Sequence, residues 1–104
     1  MILQLNTDNN IKGTEALESF VSEKLEQSLK QYTEHISRAE VHLSDQNAHK
    51  GGADDIQCKI EVRVEGMDPM LAESKDETKE KAIAGATNKV KAILDTAFGK
   101  LKDR

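Results

Sequence analysis

The sequence is poor in cysteine, proline and aromatic residues, and it contains no long apolar run. Its single cysteine cannot form a disulfide within the chain, which agrees with a reducing cytoplasm. No stretch approaches the roughly 20 apolar residues of a membrane helix. Residues 1–5 lack the basic and apolar regions of a secretory signal. We therefore expect a cytoplasmic protein with no membrane partner.

Residue clusters that carry out chemistry are also missing from the sequence. No His, Cys, Asp or Glu cluster has metal-ligand spacing, and Gly51 and Gly52 are not part of a GxxxxGK[ST] phosphate loop. Cys58 alternates with apolar residues, which predicts a packing role and not a nucleophile. The sequence thus predicts no enzyme, no cofactor, no metal site and no small-molecule substrate.

Charge is distributed unevenly along the 104 residues, whose net charge is −4. Residues 1–73 carry 7 basic and 14 acidic side chains, a net charge of −7, whereas residues 74–104 carry 8 basic and 5 acidic ones, a net charge of +3. The basic end of the chain either indicates an anionic partner or is a solvated, lysine-rich helix. The length predicts one domain, residues 1–104, with a flexible loop at about residues 46–54.

The strongest structural pattern is an alternation of apolar and polar side chains over residues 56–65. Alternate residues of a strand point to opposite faces, so this stretch predicts a strand with one dry and one wet face. A strand buried on both faces of a parallel sheet would not alternate in this way. The inward residues are Ile56, Cys58, Ile60, Val62 and Val64. We interpret the stretch as the central strand of a small antiparallel sheet.

The remaining patterns predict three further strands and two helices. The strands are expected at residues 2–6, 36–45 and 70–74, and the helices at about residues 15–32 and 76–102. Thr14 is the predicted N-cap of the first helix, and the run from Ser74 to Glu77 matches a capping box for the second. The predicted fold class is α+β, in the order β-α-β-β-β-α. It has a four-stranded, mainly antiparallel sheet with two helices packed on one face, which is a double-stranded-RNA-binding-like layout.

Each predicted helix carries one apolar stripe that would face the sheet. The first stripe consists of Leu17, Phe20, Val21, Leu25, Leu29 and Tyr32. The second consists of Ala82, Ile83, Ala86, Val90, Ile93, Leu94, Ala97 and Leu101. Gly85 and Gly99 lie off the second stripe, where each costs roughly 1 kcal/mol relative to alanine.

Nucleic-acid binding, if present, would depend on helix lysines. The sheet's wet face has no aromatic residue on which bases could stack, and Phe20 and Tyr32 fall on the apolar stripe. On the second helix, Lys75, Lys89 and Lys100 lie on one flank of the stripe, and Lys91 and Lys102 lie on the other with Phe98 beside them. Ordinary border lysines of an amphipathic helix would show the same pattern.

The chain resembles the short ribosome hibernation promoting factors, also called the ribosome-associated translation inhibitor or sigma-54 modulation family. Residues 3–6 (LQLN) and 14–24 resemble the first strand and helix of that family. Residues 82–94 resemble its AIDxAxxKLxRQL signature, and residues 99–102 (GKLK) resemble its lysine-rich close.

The resemblance implies a translation inhibitor that is not an enzyme. Such a protein binds the small ribosomal subunit and its rRNA in the decoding channel, and it idles ribosomes under stress or in stationary phase. Basic side chains on the two helices would contact the rRNA. By matching position these are Lys24, Lys89, Lys100 and Lys102, with Lys30 and Lys91 as additional candidates.

The sequence departs from this family pattern at several positions. Ala84, Ala92 and Ile93 replace the acidic, arginine and glutamine residues of the signature, Thr78 and Glu80 replace the aspartate and tyrosine before it, and Glu18, Thr96 and Phe98 occupy positions that tend to be basic. Each lost phosphate contact weakens an electrostatic interface. An alternative hypothesis therefore remains: a divergent member that acts through protein–protein or homodimer contacts.

Overall fold

A computed structural model describes residues 1–46 and 56–102, with side chains described as far as Gly99. Apart from Gln46, the loop predicted at about residues 46–54 lies outside the described residues. The element order is β-α-β-β-β-α, as predicted. The elements are β1 (Ile2–Thr7), α1 (Glu15–Ser28), a 3-10 turn (Lys30–Tyr32), β2 (Ile36–Asp45), β3 (Ile56–Val64), β4 (Met70–Asp76) and α2 (Lys79–Lys102).

The four strands form one mixed sheet in the order β1-β2-β3-β4. β1 is parallel to β2, whereas β3 is antiparallel to both β2 and β4. The predicted mainly antiparallel sheet is therefore confirmed, with β1 as the parallel member. The parallel pair follows from its connection, because α1 carries the chain back so that β2 runs in the direction of β1, whereas the turn over residues 65–69 reverses the chain between β3 and β4.

β3 is central in the sheet and confirms the alternation found in the sequence. Cys58, Ile60 and Val62 are fully buried, while Lys59 and Arg63 are exposed on the opposite face. β4 follows a turn in which Gly66 has a φ of 82°, a conformation that glycine adopts without steric cost. β4 continues two residues beyond the predicted strand, because Lys75 and Asp76 also pair with β3.

A bulge at the start of β2 brings both an even-numbered residue and odd-numbered residues of this strand into the core. Ile36 pairs with Val64, but Arg38 pairs with Arg63, so Ser37 is the extra residue. Its Oγ donates a hydrogen bond to the carbonyl oxygen of Arg63 at 3.1 Å. As a result Ile36 and Ala39 are both buried, although they are an odd number of residues apart.

Helix α1 begins where the sequence predicts and ends earlier. The Oγ1 of Thr14 accepts a hydrogen bond from the backbone N–H of Leu17 at 3.1 Å, which confirms the N-cap. The helix ends at Ser28, and a 3-10 turn carries the chain to the buried Tyr32. The placement of Phe20 in the core was wrong: its side chain is 37% exposed, because it lies at the edge of the apolar stripe.

Helix α2 begins later than predicted. Ser74 does not cap it, because that residue lies in β4 opposite Cys58. Instead, the Oγ1 of Thr78 accepts a hydrogen bond from the N–H of Lys81 at 3.1 Å, and the helix starts at Lys79. The capping-box prediction was therefore wrong, since strand pairing with β3 holds residues 74–76 in an extended conformation.

The buried face of α2 packs on β3 and β4, and α1 lies beside α2 and β1. Most of the predicted stripe is buried, including Ile83, Val90 and Leu94, but Ile93 is 36% exposed and was wrongly placed. Gly85, predicted to lie off the contact face, instead meets β4. A Cβ atom built on Gly85 would lie 2.4 Å from the Ser74 Oγ. The helix therefore approaches the strand so closely at this point that a larger residue would require the Ser74 side chain to shift.

Candidate functional site

The outer face of the sheet is a surface of paired charges. The Arg38 guanidinium contacts Glu40 at 2.9 Å, and its hydrogen bond holds the pKa of the Glu40 carboxyl below its usual value. A shallow depression of about 550 Å³ lies on this face. Gln57 is buried there, and both ends of its amide are satisfied. It accepts a hydrogen bond from Gln46 at 2.6 Å and donates one to Glu73 at 3.0 Å. Among the described residues of this face, acidic and basic groups alternate, so these residues form no basic surface for an anionic partner.

The opposite side of the molecule carries the two helices and the six lysines predicted to contact rRNA. Lys24 is partly buried on α1, and Lys30 is exposed in the 3-10 turn. The side chains of Lys100 and Lys102 lie outside the described residues, although α2 extends through both positions. The prediction of these lysines as rRNA contacts remains a prediction.

Lys89 and Lys91 lie on opposite flanks of α2, as the helical spacing indicates. The Lys89 ammonium reaches toward the sheet and donates a hydrogen bond to the carbonyl oxygen of Glu73 in β4 at 2.9 Å. The Lys91 ammonium donates to Asp95 Oδ2 at 2.9 Å, one turn further along the helix. The hydrogen bond with Asp95 also raises the pKa of Lys91 above its usual value. Lys91 therefore keeps its positive charge and is held in place.

Asp95 links α2 to the 3-10 turn. Its Oδ1 accepts hydrogen bonds from the hydroxyl of Tyr32 and from the Nε2 of Gln31, the latter at 3.1 Å. The hydrogen bond from Tyr32, followed by that from Lys91, lowers the pKa of the Asp95 carboxyl. The same hydrogen bond raises the pKa of the Tyr32 hydroxyl. The Asp95 carboxylate therefore holds the C-terminal half of α2 against the 3-10 turn that follows α1.

An aromatic cluster lies next to Asp95. The Phe98 ring stacks on the Tyr32 ring with a centroid distance of 4.9 Å. The His35 ring is tilted by 45° to the Phe98 ring, and the centroids of these two rings are 5.1 Å apart. Gln31, Tyr32, His35, Asp95, Phe98 and Gly99 line a notch of about 340 Å³. Sequence reasoning placed Phe98 beside Lys91 but missed His35 and Asp95. The spacing from Lys91 to Asp95 is a detectable signal for an ion pair on a helix, whereas the contact between Tyr32 and Asp95 spans 63 residues.

The positions that depart from the family signature lie largely on exposed surface. Glu18 is exposed on α1 beside Glu15 and Glu23, which border a shallow acidic depression. On α2, a shallow and mostly apolar depression of about 390 Å³ is lined by Ala92, Ile93, Thr96 and Ala97. The acidic and apolar character of these surfaces differs from the basic character that the family pattern would provide.

The part of the chain that the structure describes contains no cluster of metal ligands. Residues 1–46 and 56–102 contain no group of three or more His, Cys, Asp or Glu side chains that would hold a metal ion. Cys58 is buried, and this burial raises the pKa of its thiol to about 12, so it remains protonated at neutral pH. Within the same ranges, no helix is both long enough and apolar enough to cross a membrane.

Replacing Asp95 with asparagine is expected to change the pH dependence of stability. Folding lowers the pKa of Asp95 below its ordinary value of 3.8. Its stabilisation is therefore fully present above that value and is lost as the pH falls through the lowered pKa. Thermal unfolding between about pH 7 and pH 2 should show wild type more stable than Asp95→Asn at neutral pH, with the difference closing in acid.

Tyr32→Phe provides a matched comparison for the Asp95 variant. It keeps the ring that stacks on Phe98 but removes the hydroxyl that donates to Asp95. Because the hydrogen bond from Lys91 to Asp95 remains in Tyr32→Phe, the pH dependence of the stability of this variant should lie between those of wild type and Asp95→Asn. Parallel stability curves for wild type and Asp95→Asn over the whole pH range would contradict the assigned role of this carboxylate.

The structure defines the fold class as α+β, with the element order β-α-β-β-β-α. Its layout is like that of double-stranded-RNA-binding domains. The chain belongs to the sigma 54 modulation protein / S30EA ribosomal protein family, which matches residues 6–102. The family resemblance found in the sequence is thereby confirmed.

Two solved structures resemble this chain closely in fold. The N-terminal domain of Thermus thermophilus Protein Y has a TM-score of 0.74 at 22% identity, covering 92% of this chain and 98% of that domain. A ribosomal subunit interface protein from Coxiella burnetii has a TM-score of 0.72 at 16% identity, and each chain covers 100% of the other. A search of curated protein sequences finds no significant match.

Proposed function

We propose that this protein binds the small ribosomal subunit in the cytoplasm and inhibits translation. It does so by occupying the decoding channel, where it overlaps the paths of mRNA and tRNA, and it idles ribosomes under stress or in stationary phase. The proposal rests on membership of a family described as containing a ribosomal protein, and on the similarity of the fold to that of a ribosomal subunit interface protein. It assigns no catalytic step to the protein.

The observation that carries the proposal is the placement of the lysines. Lys24 and Lys30 belong to α1 and the turn after it, and Lys89 and Lys91 belong to α2, so all four lie on the helical side. Lysines neutralise rRNA phosphates and release their counterions, which supplies binding free energy without reading the base sequence. On the outer face of the sheet, Arg38, Lys59 and Arg63 are all held in ion pairs, whereas on the helical side such a pair holds Lys91.

A second candidate function is supported by the surfaces that depart from the family pattern. The acidic surface around Glu18 repels phosphate, and the apolar depression around Ile93 offers phosphate no cation to bind. These surfaces favour a family member that has lost rRNA affinity and acts through a protein partner or a homodimer. The two functions differ in their salt dependence, because only phosphate contacts release condensed counterions.

Co-sedimentation with purified small subunits across a salt series tests the proposal. We expect binding at about 50 mM salt that weakens steeply by about 200 mM, as for an interface with several phosphate contacts. Absence of the protein from the small-subunit fraction at the lowest salt would overturn the proposal. Binding that does not change with salt would favour a protein contact instead.

A further inference from the structure

The notch between the 3-10 turn and the C-terminal half of α2 is lined by rings and by the Asp95 carboxylate, and lysines lie next to its lining residues. Phe98 stacks on Tyr32, and the exposed His35 lies against Phe98. Lys30 is in the same 3-10 turn as Tyr32, and Lys91 donates a hydrogen bond to Asp95 in the notch wall. Single-stranded nucleic acids bind to this combination, because each base has a π-face for stacking and each phosphate needs a cation nearby.

We propose that this notch binds one unpaired nucleobase of RNA, stacked on the rings of His35 and Phe98. The proposal rests on the proposed ribosomal function, since it names a contact that the protein would make with rRNA beyond its lysine–phosphate contacts. The volume of about 340 Å³ is at the small end of ligand pockets, where one base fits and a folded protein element does not.

Polar groups in the notch match the edge of a base. The Asp95 carboxylate accepts three hydrogen bonds, from Gln31, Tyr32 and Lys91, and an ionised carboxylate has about four acceptor positions. One position remains for the exocyclic amino group of a base. The Gln31 amide donates to Asp95 through Nε2, which leaves its carbonyl oxygen as a further acceptor. Bases that carry an amino group are therefore preferred, and the two purines among them, adenine and guanine, offer the larger ring system for stacking.

This arrangement differs from base stacking on a sheet. Among its described residues, the outer sheet face carries the single ring of His42, whose Nε2 lies 3.7 Å from the Glu40 carboxylate, and no Phe, Tyr or Trp side chain, so it has no cluster of rings for stacking. Two of the three Phe and Tyr residues of the chain are instead brought together at the end of α2. Only docking of α2 against the 3-10 turn produces this cluster, because Tyr32 and Phe98 are far apart in the sequence.

The test measures binding of a labelled hexa-adenylate RNA to the full-length protein by fluorescence anisotropy. A ribose-phosphate oligomer of the same length without bases is the comparison probe, because it carries the same phosphates. We expect wild type to bind the adenylate more tightly by about 5- to 100-fold, the range for one stacked base. Equal affinity for the two probes would overturn the proposal.

Variants locate the binding to the notch. His35→Ala removes an exposed ring, and Phe98→Leu removes the second ring while keeping apolar volume against Tyr32. Either variant should reduce the preference for bases without changing the slope of log affinity against log salt, because no phosphate contact is lost. Phe20→Leu is the matched control, since it removes a 37% exposed aromatic ring from α1. An equal loss in Phe20→Leu, or no loss in His35→Ala, would contradict the assignment.

Small-subunit sedimentation of the same variants separates this inference from the proposed function. If wild type and His35→Ala bind the subunit with equal affinity, the ribosomal function stands and the inference is wrong. If wild type discriminates between the two probes but does not bind the subunit, the notch binds RNA and the ribosomal function is wrong. Loss of subunit binding in His35→Ala without discrimination between the probes would assign the notch to a protein contact and overturn the inference.

Discussion

Reversing the charge of Lys89 and Lys100 together is expected to weaken binding to the small subunit by about 10- to 100-fold at low salt. Both residues lie on one flank of α2 by helical spacing, so one phosphate-bearing strand can contact both. Each lost contact should also reduce the salt slope by about 1, because fewer counterions are released on binding. Sedimentation or anisotropy over a salt series measures both quantities.

A double reversal on the other face of the protein controls for net charge. Lys59→Glu with Arg63→Glu changes the net charge by the same amount, but on the outer face of the sheet. The ion pairs that this control removes are exposed, at 3.9 Å to Glu73 and 3.4 Å to Glu61, and such pairs contribute little to stability. We expect this control to retain most of the binding.

The comparison distinguishes a contact surface from general electrostatic attraction. If both double variants lose binding equally, net charge governs association and the helical side is not the interface. If neither loses binding, the phosphate-contact hypothesis is wrong for Lys89 and Lys100. Thermal unfolding should be nearly unchanged in the α2 variant, because Lys89 is exposed and its hydrogen bond to the Glu73 carbonyl lies at the surface.

Gly85→Ala is expected to destabilise the protein by roughly 1–2 kcal/mol. The new Cβ would lie 2.4 Å from the Ser74 Oγ and 3.1 Å from the Ser74 Cβ, so the Ser74 hydroxyl must rotate away and the Ser74 Cβ must also shift. Overpacking of this kind costs about 1–3 kcal/mol, and the better helix propensity of alanine offsets up to about 1 kcal/mol of that cost. Urea unfolding followed by circular dichroism measures the change in the free energy of unfolding.

Gly99→Ala is a matched control in the same helix. No atom lies within 4 Å of a Cβ built on Gly99, so alanine there adds helix propensity without a clash. We expect a gain of up to about 1 kcal/mol, the opposite sign to Gly85→Ala. Combining Ser74→Ala with Gly85→Ala should recover part of the loss, since the Oγ is the nearest obstacle. If Gly85→Ala were as stabilising as Gly99→Ala, the inference that α2 lies too close to β4 for a side chain at position 85 would be wrong.

The elements of the fold were predictable from the sequence because their signals are local. The alternation from Ile56 to Val64 depends only on successive side chains of one strand, and the cap at Thr14 depends on a residue three positions away. The family signature is likewise a local pattern of residue types. The positions of the lysines on the helices were predictable for the same reason, since helical spacing alone assigns Lys89 and Lys91 to opposite flanks of α2.

The errors arose where long-range contacts outweigh local preference. Ser74 and Glu77 fit a capping box, yet Ser74 pairs with Cys58 in the sheet, so the helix starts after Thr78. Phe20 fits the apolar stripe of α1, but the stripe is wider than the surface that α1 buries, and its edge stays in water. A repeat of apolar residues predicts a face but does not specify how much of that face a neighbour covers.

The sequence by itself determined the order of the elements, the inward face of β3 and the positions of the lysines on the helices. Strand and helix periods impose these features through backbone geometry. Only the tertiary structure decided how closely α2 approaches β4 at Gly85, and that Asp95 and Phe98 meet Tyr32 and His35. These contacts join residues that are far apart in the chain, and they depend on the distance and angle at which packed elements dock, which no local pattern encodes.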